Sequence, residues 1–180
     1  MRNNKGFTLV ELLAMLIVLG ILIGISVPNI TGILNQQKET AFVDEASKLV
    51  STAQMKMSTE REIKKPKKDN CIVFSMNYLD KAGEIKKSAD GGEYLRDDSF
   101  VIVSRMGSRI EYTVRLVETT TSGDIYGIDS VSLDILEKEG TSILGFAEQE
   151  GYNMSTATPD SISHMDPFYT MCTTIEAVYN

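Results

Sequence analysis

The stretch Lys5-Gly6-Phe7-Thr8-Leu9-Val10-Glu11 opens a long apolar run that ends at Pro28. Between Glu11 and Lys38 the chain carries no charged side chain. This run exceeds the roughly 20 apolar residues that an α-helix needs to span the hydrocarbon core of a bilayer. We therefore expect residues 7–28 to form a membrane-spanning helix.

Three explanations compete for this segment. A secretory signal peptide has an apolar core of about 7–15 residues and a small-x-small cleavage site, but this run is longer and no such site follows Pro28. A simple anchor explains the length and the basic residues Arg2 and Lys5, yet it gives Glu11 no role. A carboxylate at the centre of a spanning helix costs about 2.5–3.5 kcal/mol, so it normally has a partner or a task. The third explanation rests on the residues around Gly6.

The residues Gly6-Phe7-Thr8-Leu9-Val10-Glu11-Leu12-Leu13 resemble the class III signal of type IV prepilins and pseudopilins. In that family a membrane peptidase cuts after the glycine and methylates the new amino terminus. The resemblance therefore implies a leader peptide of residues 1–6, cleavage between Gly6 and Phe7, and N-methylation of Phe7. Glu11 matches the acidic residue at the fifth position of the mature chain. Pro28 matches the family's helix proline, where we expect a kink because proline lacks an amide donor.

The resemblance also gives Glu11 a role in assembly. In the filament that the family implies, the Glu11 carboxylate of one subunit pairs with the Phe7 α-ammonium of a neighbour. A free α-amino group has a reference pKa of about 7.7–8.0, so it is largely protonated at neutral pH. Leaving either charge unpaired in a low dielectric is costly. Glu11 is therefore expected to set the axial register between subunits.

Beyond Pro28 the helix is expected to continue as an amphipathic segment, residues 29–60, with one face packed on a sheet. Residues 61–180 are expected to form a globular α+β head. The fold class is thus α+β, and the resemblance implies the pilin fold, a long N-terminal helix packed on a small antiparallel sheet. The apolar stripe of the helix, spaced at three and four residues, consists of Ile30, Ile33, Leu34, Ala41, Phe42, Ala46, Leu49, Val50, Ala53 and Met57.

Within the head, the sharpest pattern is a β-hairpin whose strands are residues 99–105 and 109–117, because both are β-branched and partly alternating. The other elements are a short helix over 71–82, with a strand over 71–74 as the alternative, a helix over 130–139, a strand over 141–147, and loops from residue 151 onward.

The segment from Arg61 to Asn70 is predicted to be a linker. It contains four lysines, Lys64, Lys65, Lys67 and Lys68. We favour a solvated loop, and the alternatives are binding of DNA, of an anionic surface or of an acidic neighbouring subunit.

The chain has two cysteines, Cys71 and Cys172. An even count in an exported domain favours a disulfide between them. Type IV pilins often join their C-terminal region by a disulfide, although this pair resembles those only in kind because it would enclose nearly the whole head. Two free buried cysteines are the alternative.

The sequence offers little for catalysis. It contains no Gly-x-Ser-x-Gly, Walker loop, His-Glu-x-x-His or Cys-x-x-Cys pattern, and its one histidine, His164, has no clustered partner in sequence. The net charge of −7 does not suggest a general affinity for nucleic acid. We predict no enzyme activity, no catalytic residue, no cofactor and no metal site.

These observations predict a structural subunit, major or minor, of a bacterial type IV pilus. The implied partners are the prepilin peptidase, the assembly platform with its ATPase, the cytoplasmic membrane, and copies of itself and other pilins. By the positive-inside rule the leader stays in the cytoplasm and the head lies outside, and the assembled subunit is extracellular. A pseudopilin of a type II secretion or DNA-uptake system is the first alternative. A membrane-anchored binding domain or adhesin is the second, and no ligand of the head is predicted.

Overall fold

The computed structural model describes residues 8–85, 87–89, 91–147 and 151–180, and for residues 25–31 it describes the backbone alone. The chain divides into two compact units, with the boundary between Gln37 and Lys38. One helix, α1 (Leu9–Thr59), contributes residues to both units. Pro28 lies within α1, but its side chain is outside the described part, so the kink expected there stays a prediction.

The second unit contains a seven-stranded sheet in the order β6-β5-β4-β3-β1-β7, with β2 paired to β4. The pairing of β1 with β7 is parallel, and the other pairings are antiparallel. Together with α1 this gives the α+β layout that the sequence predicts. The strands are β1 (Asn70–Ser75), β2 (Glu93–Tyr94), β3 (Phe100–Met106), β4 (Arg109–Thr119), β5 (Ile125–Ser132), β6 (Gly145–Phe146) and β7 (Thr174–Tyr179).

Four short helices and one 3-10 turn complete this unit. They are α2 (Met76–Leu79), α3 (Leu133–Glu139), α4 (Pro159–Ile162) and α5 (Phe168–Met171), with the 3-10 turn at Gly140–Ile143. Thr158 caps α4 by accepting a hydrogen bond from the Ser161 amide, and Pro159 occupies the first turn, where its missing donor costs nothing.

The C-terminal half of α1 packs on one face of the sheet. Its buried side chains recur at three- and four-residue steps and consist of Phe42, Ala46, Leu49, Val50, Ala53 and Met57. They form one core with inward-facing residues of the central strands, including Val101, Val103, Val114 and Leu116. The predicted stripe is therefore confirmed from Phe42 onward.

The N-terminal end of the predicted stripe is wrong. Ile33 and Leu34 are 56% and 49% exposed, and the side chain of Ile30 lies outside the described residues. Ile33 and Leu34 belong to the first unit, whereas the sheet core contains α1 residues only from Phe42 onward. Spacing alone does not show where a sheet begins to cover a helix.

The opposite face of the sheet is also covered. Val73, Phe100 and Ile102 pack there against the segment 151–172, which contributes Tyr152, Met154, Ala157, Ile162 and Phe168. Phe100 and Phe168 lie 4.9 Å apart between ring centroids. A segment that the sequence assigns to loops thus forms a second apolar layer. The sequence pattern does not indicate this layer, because its buried side chains follow no regular period.

Three predicted elements in the head need correction. The alternative strand over 71–74 is confirmed, since residues 70–75 form β1, which lies between β3 and β7 with both its faces buried, and the predicted helix over 71–82 is reduced to α2. The helix predicted over 130–139 begins only at Leu133, since residues 125–132 form β5. The strand predicted over 141–147 shortens to Gly145–Phe146, because its first half is the 3-10 turn.

The predicted hairpin is confirmed. Met106 pairs with Arg109, so β3 and β4 are joined by a two-residue turn, Gly107 and Ser108. Gly107 has a φ of 62°, which glycine adopts without steric cost, and such turns match the twist of paired strands.

Candidate functional site

The proposed cleavage residues, Gly6 and Phe7, lie outside the described part of the chain, which begins at Thr8. Thr8 is the N-cap of α1, since its carbonyl oxygen accepts the first helical hydrogen bond from the Leu12 amide at 3.2 Å. The cap is reciprocal. The Glu11 amide donates to Thr8 Oγ1 at 3.3 Å, and the Thr8 amide donates to Glu11 Oε2 at 2.8 Å.

This arrangement is a capping box, in which a threonine and the glutamate three residues later each satisfy a backbone donor of the helix start. The Thr8 hydroxyl adds a second bond to Glu11 Oε2 at 2.8 Å. The sequence signal that indicates this cap is Thr-x-x-Glu before an apolar run, here Thr8 to Glu11. Glu11 therefore has a local structural role in addition to the one expected from the resemblance.

The first unit exposes a continuous apolar helix surface. The large apolar side chains of residues 9–23 are between 54% and 83% exposed, and they lie on every side of α1. A patch of this extent is far larger than soluble monomers usually expose, and it marks an interaction surface. Gly20 and Gly24 leave open space where a Cβ would stand, so the helix backbone is accessible there.

In the part of the chain whose side chains are described, no helix combines the length and the apolar character needed to cross a membrane. The expected spanning segment, residues 7–28, includes Phe7 and the side chains of residues 25–28, which are outside the described part.

The second unit holds the end of α1 against the sheet through a polar and aromatic contact. Glu60, one residue past α1, accepts hydrogen bonds from Lys56 Nζ at 2.6 Å and from the Tyr78 hydroxyl at 2.5 Å. The Lys56 ammonium also lies 4.9 Å from the centroid of the Tyr78 ring. Tyr78 in turn packs against Phe74 and Tyr179, at centroid distances of 5.9 and 5.5 Å.

These contacts shift the pKa values of Tyr78 and Glu60 in opposite directions. Partial burial, and then the hydrogen bond to Glu60, raises the pKa of Tyr78 to about 12. The hydrogen bonds from Lys56 and Tyr78 hold the pKa of the Glu60 carboxyl below its usual value. Both shifts favour the pair as found, a neutral phenol beside a carboxylate.

A similar contact lies farther back along the helix. The Tyr94 hydroxyl of β2 donates a hydrogen bond to Glu45 of α1, and the Tyr94 ring lies 5.4 Å from that of Phe42. Burial raises the pKa of both groups, and the hydrogen bond raises that of Tyr94 further. The sequence pattern indicates neither Tyr78 nor Tyr94, because their hydrogen-bond partners, Glu60 and Glu45, are 18 and 49 residues away in the chain.

Cys71 and Cys172 form the disulfide that the sequence favours. Cys71 is fully buried in β1, and Cys172 follows α5 directly. The bond joins residues 101 positions apart and fastens the covering segment to the sheet beside β7.

Among the residues that the structure describes, no three His, Cys, Asp or Glu side chains are grouped so that they could hold a metal ion. His164 is exposed between α4 and α5. Of the predicted site residues, the structure describes Glu11, Cys71 and Cys172 fully, and only the two cysteines contact each other.

Comparison with known proteins identifies the N-terminal segment. Residues 1–27 match the family model of the prokaryotic N-terminal methylation motif, which is the class III signal peptide of the type IV pilin family. The motif supports a pilin or pseudopilin, processing by prepilin peptidase, pilin–pilin assembly and a membrane-anchored precursor. No curated protein and no solved structure shows significant similarity to the chain.

Proposed function

We propose that this chain is a structural subunit of a bacterial type IV pilus, cut between Gly6 and Phe7, methylated at Phe7 and polymerised through α1. The observation that carries the proposal is the methylation motif at residues 1–27, followed directly by the exposed apolar surface of α1. Assembly with other copies accounts both for a motif that directs processing and for a helix whose described apolar side chains at residues 9–23 are exposed.

The apolar surface supplies the cohesion of the filament. Burying a single large aliphatic side chain contributes about 1.5–3 kcal/mol, and twelve such side chains of residues 9–23 are exposed. Association costs an estimated 4–15 kcal/mol in lost rigid-body freedom. Burial of part of this surface between neighbouring helices is therefore sufficient to hold a subunit in the polymer, with the assembly platform and its ATPase extracting it from the membrane.

Glu11 supplies the register. Both donors of Thr8 bind one carboxylate oxygen, Oε2, and a salt bridge to the Phe7 ammonium of a neighbour needs only the second oxygen. The capping box fixes where that carboxylate points before the neighbour arrives, because it ties the side chain to the helix start. A preorganised acid loses less conformational entropy on pairing than a mobile one.

Two variants separate the cap from the register. Glu11→Gln keeps an acceptor oxygen but removes the charge, and Thr8→Ala removes the hydroxyl bonds of the cap but keeps the charge. We expect Glu11→Gln to insert in the membrane and yet to fall at least about tenfold in sheared surface filaments, because the neighbour's ammonium is left unpaired. Thr8→Ala should lose much less, since an N-cap contributes only about 1 kcal/mol.

The measurement is the amount of the chain in the sheared filament fraction relative to the membrane fraction, in cells that carry the whole assembly machinery. If Glu11→Gln lost no more than Thr8→Ala, the charge of Glu11 would have no role in setting the register. A pseudopilin carries the same kind of motif, and it is distinguished by its scarcity in sheared filaments from unmodified cells.

A further inference from the structure

The charge of this chain is strongly segregated along the sequence. Residues 61–68 contain five basic side chains and one acidic side chain. From residue 116 to the end there are eleven carboxylates and a single lysine, Lys138. A separation of this kind produces opposite local fields on different parts of one molecule and favours specific electrostatic association.

The basic segment, defined as residues 61–68, is held in a fixed conformation. Ile63 and Pro66 are buried, whereas Lys64, Lys65, Lys67 and Lys68 are exposed. The backbone amide of Lys67 donates a hydrogen bond to Glu176 Oε1 of β7 at 3.1 Å. The buried residues thus anchor the loop and leave the lysine ammonium groups on its outer surface.

Few of these lysines are neutralised by their own molecule. Lys68 lies 3.8 Å from Asp69, in a pair whose side chains are both more than half exposed. Within the described part of the chain, no carboxylate lies within 4.0 Å of the ammonium groups of Lys64, Lys65 or Lys67. The segment therefore presents a net positive surface to whatever lies next to it.

The acidic flank lies toward the opposite edge of the same sheet. We define it as the exposed carboxylates of the turn before β5 and of α3, namely Asp124, Asp134, Glu137 and Glu139. Asp129 of β5 is left out because it pairs with Arg115, and Glu139 lies 3.4 Å from Lys138. In the strand order, β5 is separated from β1 by β4 and β3, a distance of about 14 Å at 4.8 Å per strand. The basic segment leads into β1 and is bonded to β7, so the two charged surfaces occupy opposite flanks.

We propose that the basic segment of one copy docks on the acidic flank of the next copy. This inference rests on the proposed function, which places many copies side by side at high local concentration. Opposite flanks of one sheet cannot neutralise each other within a copy, but they can do so between copies in a head-to-tail manner. Such heterologous contacts repeat without closing and are compatible with a helical polymer.

A nucleic acid is the less favoured occupant of the basic segment. The large acidic surplus elsewhere in the chain repels a polyanion. Residues 61–68 also contain no aromatic side chain on which a base could stack.

The direct test uses filaments sheared from cells that express a mixture of isotopically labelled and unlabelled full-length chain. A zero-length carbodiimide joins lysine amines to carboxylates in contact, and peptides of mixed isotope composition report contacts between copies. We expect crosslinks from Lys64, Lys65, Lys67 or Lys68 to Asp134, Glu137 or Glu139. Their yield should fall about threefold or more between 0.1 M and 1 M salt, as the screening length shortens from about 10 Å to about 3 Å.

Charge reversal supplies a matched control. Lys64→Glu with Lys65→Glu should reduce these crosslinks and the yield of filaments severalfold, and adding Asp134→Lys with Glu137→Lys should restore both. The control, Lys48→Glu with Lys87→Glu, changes the same charge at exposed lysines outside the basic segment and should have little effect.

Filaments that form normally in the Lys64→Glu and Lys65→Glu variant, without crosslinks between the two surfaces in the unmodified protein, would overturn the inference and leave the proposed function standing. Binding of short duplex DNA by the intact chain, lost in the same variant and unaccompanied by crosslinks between copies, would also overturn it. The proposed function is judged separately, by the chemical state of Phe7.

Discussion

Gly127 occupies a position in β5 that accepts no side chain. Its φ is 148°, and a Cβ built there would stand 2.2 Å from the Leu116 carbonyl oxygen and 2.9 Å from Phe42 Cζ. This close approach brings β5 against β4 and α1 together. It explains why a glycine occupies the interior of this strand, where glycine normally weakens the strand.

Gly127→Ala is therefore expected to destabilise the head by about 2–3 kcal/mol, through overpacking and backbone strain. Gly145→Ala, in the neighbouring strand β6, is the matched control, because its added Cβ meets nothing within 4 Å. Denaturant unfolding of the full-length protein in detergent measures both. Similar midpoints for the two variants would mean that β5 does not approach Phe42 as closely as described.

Arg115 shows at the same scale what the sequence could predict. Alternation along β4 places Arg115 on the face of the strand opposite to that of Val114 and Leu116. It is nevertheless completely buried, with its guanidinium bonded to the Asp98 carbonyl oxygen and Asp129, and 5.4 Å from the Tyr152 ring centroid. The burial was not predictable, because it depends on the covering segment, whose sequence has no regular period.

At the scale of the element, the contact between α1 and the sheet depends on neutral tyrosines. The pKa of Tyr78 is about 12 in the folded protein, and its reference value is 10.0. A raised folded pKa means that the native state holds the proton more tightly than the unfolded state. The stabilisation is complete below pH 10 and is lost as the pH rises toward 12.

We therefore expect the free energy of unfolding to fall between about pH 10 and pH 12, and to fall less steeply in Tyr78→Phe. The residual slope in that variant comes from Tyr94, Tyr112 and Tyr179, whose pKa values burial also raises. Chemical unfolding at a series of pH values measures the slopes. An identical slope in the variant would exclude Tyr78 as a contributor.

The helices and strands that the sequence predicts correctly are those with a strong local pattern. The helix α1 and the β3–β4 hairpin were predicted from periodicity, since each has an apolar face that neighbours in sequence define. For strand β1 the sequence left a helix and a strand open, because a strand buried on both faces does not alternate. Strand β7 was missed because its partner, β1, precedes it by about 100 residues and pairs in parallel, which no local pattern reports.

At the scale of the whole molecule, the disulfide between Cys71 and Cys172 closes a loop of most of the head. A loop of about 100 residues corresponds to roughly 4.7 kcal/mol in the chain-entropy model, and measured values are commonly 2–5 kcal/mol. Cys71→Ser with Cys172→Ser should therefore lower the free energy of unfolding by about 2–5 kcal/mol.

A reducing agent should lower the unfolding midpoint of the unmodified protein in the same way and leave the double variant unchanged. If the double variant unfolds at the same denaturant concentration as the oxidised protein, the disulfide does not stabilise the head. The even cysteine count predicted this bond, although the sequence alone did not exclude free thiols.

The proposal that this chain is a processed pilin subunit depends on the chemical identity of its mature amino terminus. The direct measurement is tandem mass spectrometry of the N-terminal peptide, from protein isolated out of cells with an active prepilin peptidase. If the chain is cut between Gly6 and Phe7 and methylated, we expect a peptide that begins at Phe7 and carries one methyl group on its α-nitrogen. A mature protein that still begins at Met1 in those cells would contradict it.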